Sequence, residues 1–391
     1  MSLVFTAEQD ELRATVRRFL ADKSPSAQVR RWIDSVDGYD PELWRRMATE
    51  LGLHGVALPE QFGGSGGGPV ELGIVLEELG RALVPSPYFA TVALAGQALM
   101  ASNDVAAQER WLPGIVDGSV IATLALAEES GSWRLEDVST VAAPGPWAWT
   151  LSGTKMFVID GHHADLLLVV ARTESGPGLF AVAAEAAGLT RRPIETFDAT
   201  RRLARIDLDG APAQRVGPDG DATHYLREVL DLAVTAMAAE QVGGTQACLD
   251  AAVEYAKIRV QFDRPIGSFQ AIKHKCADLL LDLEAARSAA YHAASVAAGE
   301  PSAVPAAAAM AAAWCSATFT RAAKENIQIH GGIGYTWEHD AHLYLKRAKA
   351  SEQLFGAPAL HRSRLAELVG IVREDPGTNN RAERGSVLAK G

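Results

Sequence analysis

Two stretches of this 391-residue chain carry residue types suited to holding a phosphate-bearing ligand. The first, Gln328-Ile-His-Gly-Gly-Ile-Gly334, places three glycines in four positions and runs on into Tyr335-Thr-Trp337. Without Cβ atoms a ligand can approach the backbone closely, and exposed backbone N–H groups in such a loop can cradle phosphate. The same glycines would also serve a plain helix–helix turn. The second stretch, Arg259-Val-Gln-Phe262-Asp-Arg-Pro-Ile-Gly267-Ser-Phe269-Gln270, is cationic, aromatic and amide-rich, and it too joins two helical patterns. A loop suited to phosphate and a loop rich in Arg, Phe and Gln together suggest a large dinucleotide lying between helices. A third feature is an acid. Glu240 sits in an almost wholly apolar run from Leu232 to Gly244. A carboxylate there is not placed for solubility; it is either a base with a raised pKa or a buried partner for an arginine, a ligand or a backbone group.

The elements that must position these residues fall into three textures. Residues 5–22 read as a helix, with Thr6 and Gln9 spaced for a capping box and an apolar stripe through Leu12, Val16 and Leu20. Further helices are expected over 41–51, 70–83, 90–100 and 106–115. The glycine-rich connection Leu58 to Gly68 lacks the Lys-Ser/Thr ending of a Walker loop and is read as structural. From about 119 short runs rich in branched and aromatic residues recur at roughly ten-residue spacing: 121–127, 147–151, 155–159, 165–170, 178–182 and 203–208. That spacing predicts an antiparallel β-barrel or sandwich domain. Helical periodicity then returns over 222–258, 268–299, 303–330 and 339–371, and four long patterns with short connections predict an antiparallel four-helix bundle. The fold class is therefore α+β multidomain. An N-terminal helical domain spans 1–118, a middle β domain 119–217, a C-terminal bundle 218–372, and a polar tail 373–391 is expected to be disordered.

Composition narrows the partners. Forty-eight acidic against 37 basic residues give a net charge of −11, with no long basic stripe, which argues against nucleic acid. Cys248, Cys276 and Cys315 show no Cys-x-x-Cys spacing, so free buried thiols are expected rather than a disulfide framework or a metal site. The sequence Glu338-His339-Asp340-x-His342 lacks the His-Glu-x-x-His spacing for zinc and reads as a helix start. The first residues lack a basic region followed by an apolar core, and the apolar run around 304–317 is too short for a bilayer. A cytoplasmic protein without membrane attachment is the expectation. Lys346 and Arg347 are read as surface charges or subunit contacts.

Arg-x-Gln-Phe…Pro-Ile-Gly-x-Phe-Gln followed downstream by Gln-x-x-Gly-Gly-x-Gly resembles the acyl-CoA dehydrogenases over about residues 1–370. The resemblance implies FAD, with its adenosine-diphosphate half gripped between two subunits by Arg259, Gln261, Phe262, Phe269, Gln270, Gln328, Gly331 and Gly332. It implies oxidation of an acyl-CoA thioester to the 2,3-enoyl-CoA, a carboxylate taking the α proton while the β hydrogen leaves as hydride. An electron-transfer flavoprotein or similar acceptor would take the electrons onward. Both positions that commonly supply the base are empty here: Phe355 stands at one and Ala233 at the other. Glu240, seven residues or about two turns beyond Ala233, is the expected substitute, with Glu352 behind it. Against the flavin ring the family uses Thr-Glu-Pro and Trp-x-Thr segments. Ala127-Glu128-Glu129 and Phe157-Val158-Ile159 take their places, leaving backbone groups at Leu126 and Ala127 and the Phe157 ring as expected contacts. Ser132 is expected to meet the substrate's pantetheine end. These departures resemble the heteromeric branch of the family, in which two related chains form an α2β2 tetramer and often act on bulky or sterol-derived acyl-CoAs. A catalytic homotetramer, a non-catalytic FAD-binding partner subunit, and a flavin oxidase or monooxygenase on the same fold are the alternatives.

Overall fold

A computed structural model describes residues 5–146 and 148–371 of the chain. The tail expected at 373–391, and Trp147 of the expected strand 147–151, lie outside the described residues.

The N-terminal part is helical: α1 (Ala7–Lys23), α2 (Ser26–Ile33), α3 (Pro41–Thr49), α4 (Pro69–Arg81), α5 (Gln97–Ala101) and α6 (Val105–Asp117). The capping box of α1 forms as its spacing predicts, Thr6 accepting from the Gln9 N–H and Gln9 accepting from the Thr6 N–H. The helix α2 is an addition to the expected set. Phe89–Gly96, running into α5, is wound as a π-helix and is buried throughout. Such wider turns are rare and concentrate at functional sites.

The middle part holds β1 (Ala122–Ala125), β2 (Val141–Pro144), β3 (Trp149–Ile159), β4 (Leu166–Thr173), β5 (Gly176–Ala183), β6 (Leu189–Ile194) and β7 (Leu203–Val216). Neighbour pairing runs β4–β2–β3–β7–β5 and returns to β4, so five strands close on themselves. Closure removes free edges, which is how an antiparallel barrel avoids pairing with other chains. Two contacts depart from the antiparallel expectation: β1 and β2 each lie parallel to β4. The expected strands 147–151 and 155–159 are one strand, β3, kinked by a bulge between Lys155 and Val158.

The C-terminal part contains α7 (Thr223–Ile258), a short hairpin β8 (Val260–Gln261) and β9 (Arg264–Pro265), then α8 (Gln270–Ala297), α9 (Val304–His330), α10 (Ala341–Ser351) and α11 (Pro358–Leu368). The expected fourth helix, 339–371, is thus broken in two. Phe355 and Gly356 have φ of +61° and +113°, which no right-handed helix accommodates, and Pro358 restarts the chain at the first turn of α11. Residues 301–335 are apolar and long enough to cross a bilayer by composition, but 56% of their most apolar window is buried inside this protein.

The domains meet backbone to backbone. A Cβ on Gly80 of α4 would sit 2.1 Å from the Glu240 carbonyl oxygen, and one on Gly243 of α7 would sit 1.8 Å from that of Glu77. Only glycine permits this approach, which fixes the rotation of α7 and hence the direction in which Glu240 points.

Candidate functional site

A cavity of about 450 Å³ lies where the barrel, the loop after β6 and the α10–α11 break converge. Its size falls in the range of small-molecule sites. Trp133, Phe157, Leu203 and Leu354 form much of its wall. Phe197 is 64% exposed and, with the exposed Glu195, marks the mouth. Buried Arg201 marks the inner wall.

The β3 bulge aims Phe157 at this cavity. Phe157 has φ +57°, a conformation that is strained for a bulky side chain and is tolerated only where the surroundings impose it. Beneath it Lys155, fully buried, donates to the Leu126 carbonyl at 3.0 Å and to Glu128 at 2.7 Å. Glu128 also accepts from the N–H groups of Ser139 at 2.9 Å and Thr140 at 2.8 Å. Burial opposes ionisation of Glu128, but the Lys155 ammonium and these hydrogen bonds bring it down to about 2. The pair makes the floor of the barrel wall rigid.

Behind Arg201 lies a buried ionic network. Glu240 receives Arg201 on one carboxylate oxygen and Arg347 on the other, the latter at 3.0 Å. Arg347 also binds Asp198 at 2.9 Å and the Thr200 carbonyl at 2.8 Å. Burial alone would raise the Glu240 carboxyl; the two guanidiniums outweigh it and hold it below the usual carboxylate range. A carboxylate so held is a poor proton acceptor, so the geometry is that of the arginine-paired acid and not of the base expected at Glu240. Arg347, expected at the surface, is 3% exposed and central to the network. Asp160 is close to the same arginines but its carboxyl has no hydrogen-bonding partner among the described contacts, and burial pushes it up to about 7. Glu352 is occupied by Lys349 and Thr320.

The two positions where the base would be expected are apolar and closed. Ala233 is fully buried. Phe355 is 6% exposed and packs with Trp133 at 4.8 Å and Phe89 at 6.0 Å between ring centres. Phe89 in turn carries the Arg201 guanidinium 4.9 Å from its ring centre. Of this stack only Trp133 and Arg201, its two outer members, line the cavity.

The residues assigned to the nucleotide lie elsewhere, at one end of the bundle. The loop 259–270 and the loop 328–334 are held side by side by Ala252, Ala256, Ile266, Ile272 and Ile329, and by Tyr255 stacking on His330 at 4.3 Å. Arg259, Gln261, Phe262, Gln270, Gln328, Gly331 and Gly332 are all exposed, and Phe269 is half-buried beneath the Arg264 guanidinium at 4.1 Å. Gly331 has φ +64°, and a Cβ at Gly331 or Gly332 would face open space. Phe262 and Asp263 occupy the two central positions of the β8–β9 turn with φ +53° and +60°. That is a type I′ turn, which normally asks for Asn-Gly. The arrangement suits the nucleotide half of FAD: aromatic, cationic and amide side chains around a bare backbone.

The groups assigned to the flavin ring suit it less well. The Leu126 carbonyl already accepts from Lys155, and the Ala127 carbonyl from the Met156 N–H at 2.8 Å. Ser132 donates its hydroxyl to Asp137 at 2.6 Å. Ala127 and Ile159 offer no hydroxyl. The Phe157 ring lines the cavity and offers a flavin ring a stacking face, whereas Leu126, Ala127 and Ser132 do not line it. Sequence reasoning did not anticipate Arg201, Asp198, Trp133 or Phe89. Nothing in their local pattern distinguishes them, since each acts through a partner remote in sequence.

Residues 6–119, 123–209 and 223–370 match family models described as the N-terminal, middle and C-terminal domains of acyl-CoA dehydrogenase. The acyl-CoA dehydrogenase IpdE2 of Mycobacterium tuberculosis is 38% identical over 375 residues, covering 94% of this chain and 98% of that one. A solved steroid ACAD, Tcur3481-Tcur3483, superposes with a TM-score of 0.85 at 34% identity, over 93% of this chain and 98% of the other. The ChsE4-ChsE5 complex from Mycobacterium tuberculosis superposes with a TM-score of 0.88 at 31% identity, over 95% of this chain and all of the matched chain.

Proposed function

The chain belongs to the acyl-CoA dehydrogenase family, and from that premise we propose that it is one of two related subunits of a heteromeric enzyme. The enzyme introduces a 2,3 double bond into a bulky, sterol-derived acyl-CoA. Likeness to a steroid enzyme and to a complex of two named chains supports the substrate class and the assembly. In this reading the present subunit supplies the nucleotide grip: Arg259 and Gln261 for phosphate and ribose, Phe262 and Phe269 for stacking, and the Gln328–Gly334 backbone for the diphosphate. FAD, when bound, supplies the hydride acceptor. The α proton is taken in the related subunit, by a carboxylate of that subunit.

One observation carries this division of labour. The two buried acids of α7 are both neutralised, Glu240 by Arg201 and Arg347 and Asp231 by Arg364, while Phe355 fills the alternative position for a base. A carboxylate with both oxygens in charge-assisted hydrogen bonds cannot take a proton without breaking one of them.

Expression settles the proposal. Co-expressed with its related chain, the protein should purify yellow and reduce its flavin when given a steroid acyl-CoA. Expressed alone, it should be colourless or insoluble. A yellow homotetramer, reduced by an acyl-CoA with no second chain present, would overturn the proposal.

A further inference from the structure

A second cavity, of about 220 Å³, lies where the end of α1, the start of α2, the residues after α4 and the start of α10 meet. None of its lining residues belongs to the barrel, to the two grip loops or to the α10–α11 break. It is smaller than the roughly 300 Å³ at which pockets begin to take drug-sized ligands, which leaves it room for a small molecule.

Its floor is apolar. Leu20, Val29, Leu83 and Leu343 line it, each at most 4% exposed. Val29, Leu83 and Leu343, with Ile33, form a small core of their own, apart from the main one. Leu83 is held at φ +52°, a conformation that strains a bulky residue and that gathers at ligand sites. Several polar groups on the same cavity have unused bonding capacity. Ser24 is 6% exposed, and its hydroxyl has no hydrogen bond among the described contacts. A hidden hydroxyl is unfavourable unless something in the cavity meets it. Asp340 takes both Arg30 contacts, at 2.9 and 2.6 Å, on one carboxylate oxygen, and the other oxygen has no described partner. Exposed Ser26 opens α2, and no side chain caps that helix. The first N–H groups of an uncapped helix favour a negative group. Tyr344 is already engaged, its hydroxyl donating to the Arg81 carbonyl at 2.7 Å. A carboxylate oxygen and a helix N-terminus on one small cavity call for both charges on one ligand, and the floor calls for a branched aliphatic body.

We propose that this cavity binds a free branched-chain aliphatic α-amino acid. The ammonium group sits on the unused Asp340 oxygen. The carboxylate meets Ser24, Ser26 and the start of α2. The side chain lies among Leu20, Val29, Leu83 and Leu343. The site does not depend on which subunit takes the α proton, since it shares no residue with the grip or with the Glu240 network.

The test is calorimetry on the purified full chain in its native assembly, with leucine as the probe. One saturable site per copy of this chain is expected. Isocaproate lacks the ammonium group and isoamylamine lacks the carboxylate; each should bind at least about tenfold more weakly, since each forfeits a charge-assisted contact. Asp340→Asn should weaken leucine binding by a similar factor. Because Asp340 also pairs with Arg30, Ser24→Leu is the second variant. It fills the floor, leaves that ion pair intact and should abolish leucine binding. Phe262→Ala, which acts at the nucleotide grip, should leave the Kd for leucine alone. No saturable binding of leucine at millimolar concentration would overturn the proposal. So would an affinity indifferent to both Asp340→Asn and Ser24→Leu, or either one-charge analogue binding as tightly as leucine. Flavin content and flavin reduction test the subunit assignment by other readouts, so each reading can fail without the other.

Discussion

At Glu240 the balance between desolvation and Coulomb attraction decides the chemistry. Two guanidiniums win, and the acid becomes a strut between α7, α10 and the loop before β7. Glu240→Gln should therefore leave substrate-driven flavin reduction in the two-chain complex unchanged in stopped-flow absorbance. The same variant should lose on the order of 3 kcal/mol in denaturant unfolding, because it leaves buried guanidiniums underpaired. Asp160 is the opposite case, an acid whose burial wins. Its folded value of about 7 lies above the ordinary 3.8, so between roughly pH 4 and pH 7 the native state holds a proton that the unfolded chain has released. Stability from this group is full below that window and is lost as pH rises through it, by roughly 4 kcal/mol over the whole span. Asp160→Asn should flatten that part of the pH–stability curve and raise the melting temperature at pH 8. Only the Glu240 role was half-legible in the sequence; Asp160, at the end of a strand pattern, was not singled out. An acid in an apolar run announces burial, but it does not say which arginine it meets; Arg347 lies 107 positions away and looks like any charge on a helix.

Among the elements, close contact between α4 and α7 sets the geometry of everything behind the cavity. Gly243→Ala would drive a methyl into the Glu77 carbonyl, so it should cost at least about 2 kcal/mol by chemical denaturation. Lys155→Met should be as harmful, by roughly 3–5 kcal/mol, because it strands the Glu128 carboxylate beneath the cavity wall. A double variant that also carries Glu128→Gln should recover much of that loss, which separates the unpaired charge from lost packing. The long helices and the main strands were readable because their periods persist over many residues. The short elements were not. The strand β2 has four residues, and β6, with Arg191 and Arg192 in sequence, has no buried residue to betray an alternating pattern. The break between α10 and α11 did leave a trace, a glycine with a proline two positions on, which the apolar periodicity on either side masked.

For the whole molecule, the proposed nucleotide grip and the cavity stand at different places on one scaffold, and variants should act on one without the other. Arg259→Ala with Phe262→Ser removes only exposed side chains, so the melting temperature of the flavin-free two-chain complex should hardly move. Flavin content per two-chain complex, read from visible absorbance after gel filtration, should fall sharply. The proposed grip was the most legible feature in the sequence because its residues fall in two contiguous stretches. The cavity was the least, since Trp133, Phe157, Arg201 and Leu354 come from separate segments brought together only by the three-domain fold.

The β8–β9 turn has one more consequence. Phe262 and Asp263 hold backbone angles that asparagine and glycine adopt far more easily, and the Phe262 ring is 85% exposed. An orphaned copy therefore displays a taut, greasy fingertip that its assembled form would hide. Limited proteolysis of unassembled chain should nick first near this tip, and recasting the tip as Asn-Gly should slow the cut while weakening hold on the flavin. Quality control in the cell would thus have a ready mark for distinguishing surplus copies from those that have found their counterpart.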